Sequence, residues 1–303
     1  MKRVLVTGAD GFTGRYLCPL LAARGFEVHG LDAHQPATPS GGVARLHLAD
    51  LTDARSVAQA VAAANPQYVV HLGGISFIVG DAEPMYEVNL LGTRRLLEAL
   101  CSLTEKPNAV LLASSANIYG NATGGVLTET TSPAPANDYA VSKLAMEHVA
   151  RLYSNRLPLI ICRPFNYTGV GQMESFLLPK IVAHIRRRAP SIELGNLDVA
   201  RDFSDVRDVS GIYAQLLEEP RAYGETLNVC AGRAYTLREV LQMTEEISGW
   251  SMQIRVNADL VRLNEVKMLL GSRARLDALV ATTVPRIALR ETLRWMIETP
   301  VTA

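Results

Sequence analysis

The chain has 303 residues, with 30 Lys+Arg against 30 Asp+Glu, so its formal net charge at neutral pH is zero. That balance gives no electrostatic footprint for nucleic acid or for an anionic membrane surface. Hydrophobic residues make up 48%, enough for a sizeable core and too many for wholesale disorder. Apolar runs are broken by charge, Pro or Gly well short of the ~18 residues needed to cross a bilayer. Met1-Lys2-Arg3-Val4-Leu5-Val6 has no signal-peptide h-region. Cys18, Cys101, Cys162 and Cys230 lie far apart without a CxxC, and the six histidines show neither HxH nor HExxH spacing. Reduced thiols, a cytoplasmic location and no metal centre are the expectation.

In chain order, Arg3–Thr7 is a short apolar run that ends in glycines, and Thr13–Arg24 then carries Leu17, Leu20 and Leu21 at helical spacing. Glu27–Leu31 reads as a strand, Ser56–Ala64 as a helix and Tyr68–Leu72 as a strand. Val88–Leu103 has helical spacing, Ala109–Ala113 is a strand, Asp138–Tyr153 a helix and Pro158–Cys162 a strand. Continuous Val/Leu/Ile runs between helices predict an α/β fold with a doubly wound parallel sheet covered on both faces. Beyond Arg163 the rhythm loosens. Phe165–Phe176 reads as a loop and Leu178–Arg188 as a helix, within a smaller α/β domain some of whose segments return to the sheet. The predicted division is 1–165, with returning segments near 204–230, against 166–203 and 231–303.

Gly8-Ala9-Asp10-Gly11-Phe12-Thr13-Gly14 follows the first strand and opens the first helix. Glycines there permit a tight turn, close approach of backbone to a pyrophosphate, and an anion on the helix N-terminus. A purely structural turn is the plain alternative. Asp32 ends the second strand, where a carboxylate hydrogen-bonds ribose hydroxyls and repels a 2′-phosphate. This favours NADH over NADPH; an ordinary loop acid, with a base such as Arg45 taking the phosphate, is the alternative. Asp50 and Leu51, after the third strand, are candidates for contact with an adenine ring, though alone they read equally well as a helix cap.

Tyr139-Ala-Val-Ser-Lys143 places a phenol and an ammonium on one helix face. A nearby cation lowers a phenol's pKa toward useful acid–base chemistry. With ten Tyr and five Lys in the chain, chance alone supplies about 0.17 such pairs. Ser115, in Ala113-Ser-Ser-Ala-Asn-Ile-Tyr-Gly120, follows the preceding strand and can bring a hydroxyl beside Tyr139; serines at such a place are otherwise helix caps or turns.

Together the TGxxGFxG opening, His71-Leu-Gly-Gly74, Asn89-Leu-Leu-Gly-Thr93, the Ser-Ser…Tyr-Gly run, YxxxK and Arg163-Pro-Phe-Asn166 resemble the extended short-chain dehydrogenase/reductases, in order and over most of the chain. The resemblance implies a Rossmann domain holding NAD(P)H, with Gly8, Gly11, Phe12, Gly14, Asp32, Asp50, Leu51, Leu72, Gly73, Gly74, Tyr139 and Lys143 at the cofactor. It implies catalysis by Ser115, Tyr139 and Lys143, a smaller C-terminal domain closing on a nucleotide sugar, and contacts to that substrate from Ser76, Ser115 and Asn166. A homodimer through the helices at Gly92–Leu103 and Tyr139–Tyr153 is implied as well.

Leu194-Gly-Asn-Leu-Asp198-Val-Ala-Arg201-Asp202-Phe203 and the run Arg262-Leu-Asn-Glu-Val resemble the branch of GDP-mannose dehydratases and GDP-4-keto-6-deoxymannose reductases. There the matching arginines grip the GDP phosphates, so Arg201 and Arg262 become substrate candidates; guanidinium forks suit a diphosphate, whereas a lone surface arginine more often forms an ion pair. Dehydratases of the branch carry acids where this chain has Ala116 and Asn117, which disfavours water elimination. The implied reaction is reduction of the C4 ketone of GDP-4-dehydro-6-deoxy-D-mannose to GDP-D-rhamnose. The C4 epimer GDP-6-deoxy-D-talose, a nucleotide-sugar 4-epimerase and a non-catalytic sensor remain as alternatives. Ala281-Thr-Thr-Val-Pro285 replaces the branch's Gly-Trp-x-Pro.

Overall fold

Val4, Val6 and Leu5 point alternately to the two faces of β1 (Lys2–Thr7), and all three are fully buried, as a period-two strand in the middle of a sheet requires. In this computed structural model the described residues are 2–38, 40–76, 81–120, 125–257, 267–280 and 286–300. Beside β1 lie β2 (Phe26–Asp32), β3 (Val43–Leu48), β4 (Tyr68–His71), β5 (Ala109–Ala113) and β6 (Leu159–Pro164), with helices α1 (Gly14–Ala23) and α2 (Ala54–Ala64) in the first crossovers. The sheet has seven strands in the order β10-β6-β5-β4-β1-β2-β3, and each pair is parallel. Its outer strand β10 (Thr226–Val229) comes from late in the chain.

The order reverses between β1 and β4, so a crevice opens at their carboxyl ends, the usual ligand position in such sheets. The Gly8–Gly14 loop and Leu72–Gly74 leave the sheet at that point.

One face of the sheet packs against α1 and α7 (Val206–Leu216), through Leu17, Leu21, Val209 and Tyr213. The other packs against α2, α4 (Thr93–Ser102) and α5 (Asp138–Arg151), through Val61, Leu97, Leu100 and Met146. The expected single helix at Val88–Leu103 is two pieces. After the short α3 (Glu83–Tyr86), Glu87–Gly92 is a π-helical turn that leads into α4. Asn89 explains the irregularity: its carbonyl is taken by the Thr93 hydroxyl at 2.7 Å, while its side chain turns to the loop after β4.

The predicted loop at Phe165–Phe176 contains β7 (Asn166–Thr168), three residues paired in parallel with β9 (Ala200–Asp205). A strand that short has no readable period. Around β9 also pair β11 (Ala234–Thr236) and β13 (Met268–Leu269), and β8 (Ser191–Leu194) pairs with β12 (Gln253–Val256). Helices α6 (Leu177–Arg186), α8 (Leu237–Ser248) and α10 (Leu289–Glu298) share a third apolar cluster around Ile181, Val240 and Leu293; the short α9 (Ala274–Leu279) lies against β10. No helix among the described residues is long and apolar enough to cross a membrane.

Candidate active site

The loop after β1 turns at Gly8, whose φ of +68° suits glycine. A Cβ on Gly14 would meet the Gly8 and Ala9 carbonyls at 2.4 and 2.3 Å, so only glycine lets α1 start this close to the loop. Thr13, at the N-cap of α1, makes no side-chain cap bond, and the Arg15, Tyr16 and Leu17 amides bond the Gly11 and Thr13 carbonyls, so an anion at this helix start would meet the amides ahead of Arg15. Asp32 accepts the Asp10 amide at 3.2 Å, and burial raises its carboxyl to about pH 6 despite that bond. The alternative base Arg45 is misplaced. In the β2–β3 register Asp32 pairs with Leu48 and Arg45 with His29, which sets Arg45 about 10 Å back along the strand.

Across the crevice, Gly73 donates its amide to Thr7 Oγ1 at 2.9 Å, and Thr7 meets His71 Nδ1 at 2.7 Å. His71 Nε2 lies 2.8 Å from Thr93 Oγ1, which donates to the Asn89 carbonyl. These roles fit one tautomer, with Thr7 donating to Nδ1 and Nε2–H donating to Thr93. Burial drops the imidazole's pKa to about 3, so it stays neutral. Leu51 is buried, while Asp50 is exposed and caps its own turn by accepting Thr52 N and Oγ1, both at 2.8 Å. The cap of α2 is Asp53, which accepts Arg55 N at 2.9 Å, so Asp50 closes a turn ahead of the helix; Gly73 lies against Leu51, where a Cβ would sit 3.0 Å from it. Gly74 and Ser76 are exposed at the rim of the crevice.

The helix α5 starts at an Asn137 cap that accepts Ala140 N at 2.9 Å, which fixes Tyr139 in the first turn and Lys143 one turn on. Ser115 caps the 3₁₀ turn Ala116–Tyr119 by accepting Asn117 N at 3.1 Å. It also lies close enough to the Tyr139 hydroxyl to lower its pKa. The cap role and the site role therefore coexist. Lys143 is buried, donates to the Ala113 carbonyl at 2.8 Å, and lies close to Gly74, where a Cβ would sit 3.4 Å from Nζ. Contrary to the expectation of a lowered phenol, burial raises Tyr139 to about 12, with Ser115 pulling the other way. Burial also brings Lys143 down to about 8, against the field of Glu147.

Asn166, on β7, has a buried Nδ2 without a hydrogen-bond partner among the described residues. An orphaned donor at that depth is costly unless a ligand completes it. Arg201 lies on β9 opposite Tyr235 and donates to the Ala200 carbonyl at 2.9 Å. Arg262 and Ala281–Pro285 lie outside the described residues.

Residues 4–230 match the NAD dependent epimerase/dehydratase family. The chain belongs to that family. It is 34% identical over 276 residues to the GDP-6-deoxy-D-talose 4-dehydrogenase of Aggregatibacter actinomycetemcomitans, covering 90% of each. To the GDP-6-deoxy-D-mannose reductase of Pseudomonas aeruginosa it is 32% identical over 305 residues, covering 97% of this chain and 95% of the relative. Among solved structures, an epimerase, so named provisionally, from Burkholderia cenocepacia J2315 is 54% identical with a TM-score of 0.92, over 98% of this chain and 97% of that one. RMD from Pseudomonas aeruginosa complexed with NADPH is 31% identical with a TM-score of 0.82, over 98% and 96%.

As a member of this family the chain is an NAD(P)-dependent oxidoreductase, and the crevice fits a dinucleotide: a glycine turn, an uncapped helix start and a carboxylate at the end of β2. Several residues that shape it went unread in the sequence. Asn89 Oδ1 accepts Ile75 N at 2.7 Å while its Nδ2 reaches the Ile75 carbonyl at 2.9 Å and Ser142 Oγ at 3.0 Å, pinning the loop after β4 to α5. The only signal was the Asn89–Thr93 run. His71 stood in the His71–Gly74 run without a role of its own, and Glu147 gave no signal, because a polar residue's burial shows in its partners and not in its spacing.

Proposed function

We propose that the enzyme reduces the C4 ketone of GDP-4-dehydro-6-deoxy-D-mannose with NADH or NADPH in the cytoplasm. What supports this is Ser115 beside Tyr139 and Lys143 one helical turn on, with no acid at the adjoining Ala116 and Asn117. A ketone reduction needs a proton donor and an orienting hydroxyl, whereas water elimination needs a further base. When bound, the nicotinamide supplies the hydride. Tyr139 gives the ketone oxygen its proton, Ser115 orients that oxygen, and Lys143 holds the nicotinamide ribose and stabilises the phenolate left behind. Asn166 Nδ2 donates to the sugar diphosphate, and Arg201 and Arg262 clamp it. The relatives named for GDP-6-deoxyhexoses support the GDP-linked substrate.

GDP-D-rhamnose is the expected product. The relative named for GDP-6-deoxy-D-talose favours the C4 epimer as a second reading, because the same residues serve either face. Product analysis decides it: dehydratase-generated keto sugar is incubated with each cofactor and the C4 configuration is read by NMR. Stoichiometric NADH or NADPH consumption is expected; turnover without added cofactor overturns the reductase in favour of an epimerase. Arg201→Ala should weaken binding of GDP-mannose, a stable surrogate, by about 1.5–3 kcal/mol. Equal binding of UDP- and dTDP-sugars would defeat the GDP assignment.

A homodimer completes this reading. Leu91, Val141 and Leu152 leave 38%, 40% and 76% of their surface exposed on or beside α4 and α5, an apolar patch for a second copy. Sedimentation giving a monomer at micromolar concentration overturns it.

A further inference from the structure

Helix α5 carries Tyr139, Lys143, Glu147 and Arg151 one turn apart on a single face. Three consecutive residues at the end of β5 receive the first three. Ser115 lies beside Tyr139, the Ala113 carbonyl accepts Lys143 Nζ at 2.8 Å, and Ser114 Oγ donates to Glu147 Oε1 at 2.6 Å. The first two contacts involve the reacting groups of the proposed reduction. The third involves a carboxylate with no part in it, and that carboxylate is fully buried. Arg163 grips it from β6 with Nε at 2.9 Å and Nη2 at 2.7 Å, and Arg151 adds Nη2 at 2.9 Å.

An apolar pair of similar volume would join helix to strand as well as this ion pair does. What the carboxylate adds is negative charge one turn below Lys143. The groups facing Lys143 are Tyr139 and Glu147 on α5, the Ala113 carbonyl on β5, and His71 on β4, which is neutral. Around Glu147 stand Ser114 from β5, Arg163 from β6 and Arg151 from α5; Arg163 Nη1 in turn meets the Tyr119 hydroxyl at 2.9 Å and the Glu129 carbonyl at 3.2 Å.

We propose that Glu147 is a positioning residue for the reaction: through Ser114 it fixes Ser115 against Tyr139, and through its charge it keeps the Lys143 ammonium in place. The inference rests on Ser115, Tyr139 and Lys143 being the working set, but its main test needs no sugar. NADH affinity is measured by fluorescence from pH 6 to pH 10 on the full chain. Affinity falls as Lys143 loses its proton, and in Glu147→Gln the midpoint of that fall should move down by about one pH unit. Should Glu147→Gln fail to fold, the double variant Glu147→Gln/Arg163→Met removes the buried ion pair and leaves only the part-exposed Arg151 without its partner; a downward shift of the midpoint is again expected, smaller because a cation is removed with the carboxylate. A merely structural role would lower the melting temperature and leave the midpoint where it was. An unmoved midpoint in a folded variant, or wild-type affinity flat to pH 10, overturns the proposal.

Ser114→Ala keeps every charge and drops one contact. It should cut kcat several-fold with the KM for NADH and the alkaline midpoint unchanged; wild-type kcat overturns the Ser114 arm. A wild type that binds NADH but leaves the keto sugar untouched defeats the reductase reading, and the NADH midpoint still decides the role of Glu147.

Discussion

Along the wall built from β4, β5, β6 and α5, the buried polar side chains His71, Asn89, Ser114, Glu147 and Arg163 satisfy one another within the protein. Beyond Phe165 the situation changes: Asn166 Nδ2 and Asp208 Oδ1 are buried and have no partner among the described residues. The first wall is finished without help and holds its reacting groups rigidly. The second keeps at least one donor for which a ligand is the natural partner. Preorganisation near the chemistry and incompleteness near the substrate are what differential binding needs. Substitutions on the two walls should therefore separate stability from binding.

The largest effect belongs to the finished wall. Tyr139→Phe should lower turnover by roughly 10²–10⁴-fold with NADH still bound, and Ser115→Ala should cost less because its part is orientation. Steady-state kinetics on the keto sugar measure both, and near-normal turnover of the phenylalanine variant would remove Tyr139 as the acid. Next comes Arg163→Met. It strands the Glu147 carboxylate with Arg151 and Ser114 alone, so a loss of about 3–5 kcal/mol is expected in chemical denaturation. Asn166→Ala is the opposite case. It deletes an orphan, so stability should hold or rise slightly, while calorimetry should show GDP-mannose binding weakened by about 1.5–3 kcal/mol. If Asn166→Ala destabilises the fold as much as Arg163→Met does, the contrast between the walls fails.

The same contrast explains what the sequence made legible. The strands could be read because they are unbroken apolar runs, and Ala109–Ala113 is observed as the strand its sequence predicts. The glycine turn and the Tyr139–Lys143 spacing could be read because local geometry demands particular residues at fixed offsets. Glu147 could not: it sits at a core position of α5 as a charged residue, made tolerable by Arg163 from β6 together with Arg151 and Ser114. The π-helical turn was hidden for a related reason, since apolar spacing runs through it unbroken and the cause is one asparagine side chain. Past Phe165 the strands shorten to three or four residues around β9, below the length at which a period can be counted.

A smaller effect concerns the cofactor's ribose. Asp32 holds its proton up to about pH 6, so above that pH it is a carboxylate, and set against the 2′ position it would repel a phosphate there. NADH should then serve at least as well as NADPH at pH 8. As the pH falls through about 6 the charge disappears and NADPH should gain, by roughly tenfold, the worth of one pKa unit. The ratio of kcat/KM for the two cofactors between pH 5.5 and 8 checks the sign. A ratio that does not change, or a strong NADPH preference at pH 8, would mean that Asp32 does not face the ribose.

The smallest expected effect lies where the two regions are joined. Thr13, with the helical dihedrals φ −72° and ψ −38°, makes no cap bond at the start of α1; its hydroxyl meets the Tyr167 hydroxyl at 2.8 Å. Tyr167 follows Asn166 in the chain and stacks on Phe12 with ring centroids 6.0 Å apart and 13° between planes. The dinucleotide loop is thus tied to the segment that carries the orphaned asparagine. Losing that hydroxyl pair, in Tyr167→Phe or in Thr13→Val, should weaken NADH binding by about 1 kcal/mol, roughly fivefold, the scale of one hydrogen bond. The double variant should lose little more than either alone, because both substitutions remove the same bond. Fluorescence titration of the three variants tests this, and losses that add in the double variant would show that the two hydroxyls act separately.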